Sequence, residues 1–358
     1  MKQADRLARI KSLTALVAAV AFLMLAERQL EVLGRMAFNA SCSGSEKAVF
    51  GIDSPRPVTA EQSAGRGEIL RWQHPRGVLS VAISNNGRYV ISSGVDKTLR
   101  LWGVDEPREI RRLGDNIGPV LCVEFSQDGS SALTGGDDGV VRLWNVENGK
   151  QVRQFKGHEL GVTSAKFGND RRAILSSSRD GSVRLWDVES GREARRFDGH
   201  VGPVLLAAFS EDGRSVFSIG NDETIRIWDV ESGREARRFN VESGVVTSAA
   251  FSPATRWALC GSRYGTVIVW SLENGKEIRH FECGQGEVTS LAISNDGRRA
   301  VTGGSDKMVE VWDIENGRMI RQFSGHTAYV MSVAFAAEGS RVISGSADGT
   351  IRMWDLSK

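Results

Sequence analysis

From residue 67 to its end the chain is a succession of short apolar runs separated by turn residues. YVMSVAF (329–335) is followed by AEGS, then by RVISGS (341–346), ADG and TIRMWDL. Runs of six or seven residues with period two, bounded by glycine and acidic or amide residues, predict strands joined by hairpins rather than helices. The first turn of the series reads SNNGR, SQDGS, SEDGR or SNDGR in four places. Asn-Gly or Asp-Gly supplies the positive φ that a tight hairpin needs.

The same series recurs. Trp102, Trp144, Trp186, Trp228, Trp270, Trp312 and Trp354 stand 42 residues apart at every step, and WDVESGREARRF occurs unchanged at 186–197 and 228–239. Each unit adds a fourth, more polar strand, such as KQVRQF (150–155) or REARRF (192–197). That strand is entered through an ENG or ESG turn in units two to six, with VDEP (104–107) in the first. Four antiparallel strands in each of seven repeated units predict an all-β chain folded as a seven-bladed propeller.

Four units carry a WD dipeptide (Trp186-Asp187, Trp228-Asp229, Trp312-Asp313, Trp354-Asp355) and three a GH dipeptide (Gly157-His158, Gly199-His200, Gly325-His326). With the spacing and strand pattern, these make residues 67–358 resemble the WD-repeat β-propeller family. The resemblance implies a platform that binds protein or peptide partners and performs no chemistry of its own. The seventh unit ends at Lys358 without a fourth strand, whereas GEILRW (67–72) precedes the first unit and is similar to the fourth-strand text GREARRF. The expectation is that this N-terminal strand completes the last blade and closes the ring.

One pattern imitates catalysis. His74, Ser92, Asp96 and Trp102 form a set that recurs as His158, Ser176, Asp180 and Trp186, as His200, Ser218, Asp222 and Trp228, and as His326, Ser344, Asp348 and Trp354. A hydrolase needs one triad, while four copies in register suit a structural network in which Asp orients the imidazole, the imidazole meets the hydroxyl and the hydroxyl meets the indole. In the resembled family such a tetrad knits the strands of one blade. Units two and six keep Thr134, Asp138 and Trp144, or Thr302, Asp306 and Trp312, with Asn116 or Gly284 in the His place. Unit five keeps only Trp270, beside Glu242, Cys260 and Tyr264, and is expected to be the least rigid.

No GxSxG, GK[ST] phosphate loop, HExxH or CxxC occurs. No catalytic, metal-ligating or cofactor-binding residue is therefore assigned. An ion or cofactor in the central channel of a hydrolase or redox propeller is the alternative of another class. Cys42, Cys122, Cys260 and Cys283 are too scattered to propose a disulfide. From residue 67 on, 37 Lys and Arg face 38 Asp and Glu, a balance that argues against a nucleic-acid partner.

The first 66 residues are different material. Lys2, Arg6, Arg9 and Lys11 precede SLTALVAAVAFLMLA (12–26), which carries no charge. Residues 1–38 read as a signal-anchor or transmembrane-like helix, and 39–66, rich in small and turn residues, as a flexible linker. Basic residues before the apolar run favour a cytoplasmic N-terminus and a propeller across the membrane. A cleaved export signal, and a soluble helix or misassigned start in a cytoplasmic protein, are the alternatives.

In the resembled family, ligands contact residues flanking the first-strand valine and preceding the tetrad Asp. Tyr329, Met331, Leu79, Val95 and Leu121 fall in these places on successive units seven, one and two, as an apolar arc, with Arg179 and Arg263 across the ring. The competing expectation is that Leu79, Leu121 and Met331 fill the inner wall.

Overall fold

The computed structural model of the chain describes residues 67–357 except 115, 116, 242, 243, 253 and 285. The helix expected at 1–38, the linker at 39–66, Cys42, Asn116 and Glu242 lie outside the described residues. Among the described residues no helix is long and apolar enough to cross a membrane.

Among the described residues twenty-eight strands, β1 to β28 in chain order, make seven four-stranded antiparallel sheets. Blade one consists of β2 (Val78–Ile83), β3 (Tyr89–Gly94), β4 (Leu99–Gly103) and β5 (Glu109–Gly114), paired in that order, and blades two to six repeat it. First strands of successive blades pack on one another, β2 against both β6 (Val120–Phe125) and β26 (Val330–Phe335). In the first hairpin Asn86 Oδ1 accepts from Ser84 Oγ and the Arg88 amide, and Gly87 takes φ 68°. Asp128, Asp212 and Asp296 do the same work in blades two, four and six. Blades three and five hold the left-handed place with Arg171 (φ 59°) and Arg256 (φ 53°).

The core is divided into seven apolar clusters, each lying between two consecutive blades. In blades three, four, six and seven the repeated tryptophan packs against the outer-strand phenylalanine of the blade before it, tilted in the first two and stacked in the last two. Ring centroids are 6.0 Å apart for Phe155 and Trp186, 4.8 Å for Phe281 and Trp312, and 5.1 Å for Phe323 and Trp354. A strand exposes side chains on both faces, so a blade buries both by meeting a neighbour on each side, and the broad indole fills the gap. Hydroxyls add polar ties between first strands: Ser332 Oγ accepts from the Val81 amide (3.1 Å), Ser164 Oγ from the Ala207 amide (3.2 Å), and Thr163 donates to Val204 O (2.6 Å).

The seventh sheet draws on both ends of the described chain. Its order is β1 (Glu68–Gln73), β28 (Thr350–Asp355), β27 (Arg341–Ser346), β26, with β1 antiparallel to β28. Trp72 of β1 lies in the cluster shared by blades seven and one and donates its indole N–H to Gly103 O at 3.0 Å.

Candidate partner-binding face

In blades three, four and seven the His, Ser, Asp and Trp side chains form one buried chain of hydrogen bonds. Trp186 Nε1 donates to Ser176 Oγ (2.8 Å), Ser176 Oγ meets His158 Nε2 (2.7 Å), and His158 Nδ1 meets Asp180 Oδ2 (2.9 Å). The indole proton occupies a lone pair of the hydroxyl, so the hydroxyl proton goes to Nε2 and the ring's own proton to the carboxylate. Blade four repeats this with Trp228, Ser218, His200 and Asp222, and blade seven with Trp354, Ser344, His326 and Asp348. Burial by itself would raise the Asp180, Asp222 and Asp348 carboxyls, but hydrogen bonds led by those from His158, His200 and His326 outweigh it and hold all three well below the usual carboxylate range. Each carboxylate also caps the loop that follows the His, accepting from the amides of Glu159, Val201 and Thr327.

The residues flanking the first-strand valine and those preceding the turn Asp meet at one rim. The Val95 amide donates to Gly77 O, Arg179 to Gly161 O, Arg263 to Val245 O and Ala347 to Tyr329 O, all at 2.8 to 3.1 Å. Blades two, four and six add Asp137 to Pro119, Asn221 to Pro203 and Ser305 to Glu287. On this rim Tyr329 is 43% exposed, whereas Leu79, Val95, Leu121 and Met331 are half-buried. Leu79, Leu121 and Met331 share their place in the first strand with Thr163 and Thr247, whose hydroxyls bond carbonyls of the next blade. Arg179 is engaged with Asp137 Oδ1 of blade two at 2.9 Å, and Arg263 is half-buried, its Nε without a hydrogen-bond partner. Leu160, Val201 and Tyr264, the last 74% exposed, stand on the corresponding loops and turn of blades three, four and five. Among the described residues no three His, Cys, Asp or Glu side chains gather as a metal site would require.

The family model for the WD domain, G-beta repeat, matches seven times, at residues 68–103, 108–145, 149–187, 191–229, 233–271, 275–313 and 317–355. The chain belongs to this WD40 family. A comparison with curated proteins finds no match.

Against the WD40 pattern, blade one requires a correction. Trp102 Nε1 donates to Ser92 Oγ at 2.7 Å, but His74 is buried with neither ring nitrogen in a hydrogen bond, and its Nδ1 stops 3.7 Å from Asp96. The reason is a missing residue. Seven positions separate Phe155 from Val162, Phe197 from Val204 and Phe323 from Val330, but only six separate Trp72 from Val78. His74 is thus the second residue after the aromatic, where the sister WD40 blades have the glycine of Gly-His. Its amide bonds Gly349 O (2.8 Å), as that of Cys283, second after Phe281, bonds Gly265 O.

The WD40 blades also contain a residue that the motif reading passed over. An arginine two places before the tryptophan is buried in five blades and bonds the turn carboxylate, an outer-strand glutamate or both. Arg100 meets Asp96 and Glu109, Arg142 meets Asp138, Arg184 meets Asp180 and Glu193, Arg226 meets Asp222 and Glu235, and Arg352 meets Glu68. Its 42-residue period was the available signal. Blades five and six put Ile268 and Glu310 there. In blade six, Thr302 still accepts from Trp312 (3.3 Å), and the place near Gly284 is a water-sized cavity lined by Cys283, Thr302, Asp306 and Glu310. Burial, with Asp306 nearby, raises the Glu310 carboxyl, against the opposing hydrogen bond from Gln322. In blade five Trp270 Nε1 is buried without a partner, and Cys260 occupies the hydroxyl place with its thiol pushed up to about 12 by burial.

Proposed function

We propose that this WD40 propeller is a noncatalytic scaffold that seats a protein or peptide partner on the rim where Tyr329, Met331, Leu79, Val95 and Leu121 occupy blades seven, one and two. Proteins of the family generally serve as interaction scaffolds. The observation that supports the reading is the pairing of first-strand entry loops with turn residues around one rim, on which Tyr329 is exposed and Leu79, Val95, Leu121 and Met331 are half-buried. A small cluster of this kind is what an apolar anchor of a partner recognises. In blades three, four and seven the Ser and His groups that imitate a hydrolase are held in hydrogen bonds within their blades. Arg179, tied to Asp137, and Arg263 would meet acidic residues flanking that anchor. The test is Tyr329→Ala combined with Leu79→Ser. Binding of the partner retained by the native chain should be lost while the melting temperature stays within a few degrees. Full retention, or loss only through unfolding, assigns these residues to the inner wall.

The reading extends to a membrane tether. The uncharged run at 12–26 behind Lys2, Arg6, Arg9 and Lys11 supports an anchor with a cytoplasmic N-terminus and the propeller on the other side. Full-length chain should then sediment with membranes and resist extraction by high salt, whereas a chain starting near residue 60 should remain in solution. Intact full-length chain in the soluble fraction overturns the tether and leaves the rim untouched.

A further inference from the structure

The connection leaving β1 is one residue shorter than that of any other blade. It carries His74, an imidazole with no exposed surface and no hydrogen bond. The groups facing it are Asp96 from the β3–β4 turn, Arg100 from β4, Glu109 from β5 and Arg76 two residues on, with the Trp102 ring 6.2 Å away. Asp96 is not free to turn toward it, since its oxygens accept from Thr98 and Arg100. An uncharged imidazole is tolerable in such a place, but an imidazolium that neither Asp96, 3.7 Å away, nor the Arg76 backbone holds in a well-formed hydrogen bond is disfavoured.

We propose that residues 73–77 are an acid-sensitive latch: His74, uncharged at neutral pH, seals the joint between blades seven and one, and once protonated it leaves the interior and loosens β1 from β28. The bond broken first is His74 N to Gly349 O, which continues the ladder of β1 on β28 one step beyond the Gln73–Thr350 pair. In blades three, four and seven the corresponding imidazole is held by both Ser and Asp, so the device is confined to blade one's entrance.

Burial pushes the His74 imidazole down to about 4 from its ordinary 6.5, with Arg100 adding to the fall and Asp96, Glu109 and the Arg76 backbone opposing it. The open connection therefore takes up a proton in the window between these values and the closed one does not. The latch is at full strength above pH 6.5 and weakens as pH falls toward 4, and at pH 5 its opening should be favoured roughly twenty-fold over pH 7 and roughly thirty-fold over pH 7.5. Gly77 O accepts the Val95 amide, so opening also disturbs the rim at blade one. That consequence for a partner depends on the rim reading, while the latch does not.

Amide hydrogen exchange on the full chain tests it, comparing peptides over 68–77 with those over 150–161 at pH 7.5 and pH 5, after correction for the intrinsic rates. Opening of 68–77 should rise roughly thirty-fold and 150–161 should show no comparable rise. His74→Asn removes the titrating group and should flatten the response. A glycine inserted between Gln73 and His74 restores the seven-residue spacing, brings the imidazole to Ser92 and Asp96, and should abolish the response as well. Equal protection of 68–77 at both pH values in the native chain overturns the latch, as does a response that survives in either variant. If His74→Asn fails to fold, the glycine insertion decides.

Discussion

The buried Nε1–H of Trp270 lacks the acceptor that its six counterparts have. Ser92, Thr134, Ser176, Ser218, Thr302 and Ser344 each accept from the tryptophan of their own blade at 2.7 to 3.3 Å, while blade five has Cys260, 0% exposed, in that place. A buried donor left unpaired costs about 1–3 kcal/mol. Threonine is the hydroxyl in blades two and six, where the His place holds Asn116 and Gly284, so Cys260→Thr is the fitting repair. It should stabilise the propeller by about 1 kcal/mol relative to Cys260→Val, which has the same shape and no acceptor, as measured by urea unfolding. Equal stability of the two variants would sink the account. The 42-residue period made Cys260 legible from sequence, because a departure stands out against six copies. The buried arginine two places before the tryptophan escaped notice because a charged residue in an alternating strand reads as solvent-facing. Only the structure shows Asp96, Asp180 or Asp222 beside it. His74 was misread for a different reason: its distance to Trp102 matches the other blades, and the shortening lies upstream, between Trp72 and Val78.

Strands and turns follow from pattern more directly than side-chain partners do. The Asn-Gly and Asp-Gly turns fold with the glycine left-handed, as at Gly87 and Gly213, whereas Arg171 and Arg256 show that neighbouring strands impose that backbone where the residue disfavours it. Strand β1 was legible through the likeness of GEILRW to GREARRF, but what fastens it was not. Arg352 and Glu68 form an ion pair at 2.7 Å with each side chain only 5% exposed. The matching pair in blade four, Arg226 and Glu235, has the glutamate 30% exposed, and Arg226 keeps a second partner in Asp222. Removing one member of a buried pair strands the other charge at a cost of about 3–5 kcal/mol, against at most about 1 kcal/mol for a solvated pair. Glu68→Ala should therefore lower unfolding stability several times more than Glu235→Ala, and comparable losses would show that β1 is held by its apolar side chains alone.

At the scale of the whole molecule, stability is distributed over seven interblade clusters, and the one between blades seven and one depends on a segment far from its partners in sequence. Ile351, Met353 and Ile343 of blade seven meet Val78, Val90 and Trp102 of blade one around Trp72, so loss of β1 removes an aromatic anchor, an ion-pair partner and a row of backbone hydrogen bonds together. It also bares the edge of β28, an apolar strand that a second chain can pair with. A chain lacking 1–66 should keep all seven sheets and remain monodisperse. A chain lacking 1–73 should melt far lower or aggregate, since in a ring each blade is held on two sides and a single open joint leaves two blades with one unprotected face each. Scanning calorimetry and light scattering on the two truncations distinguish these outcomes. If both melt alike, the pairing of β1 with β28 is incidental to stability, and the other six interfaces hold the ring by themselves.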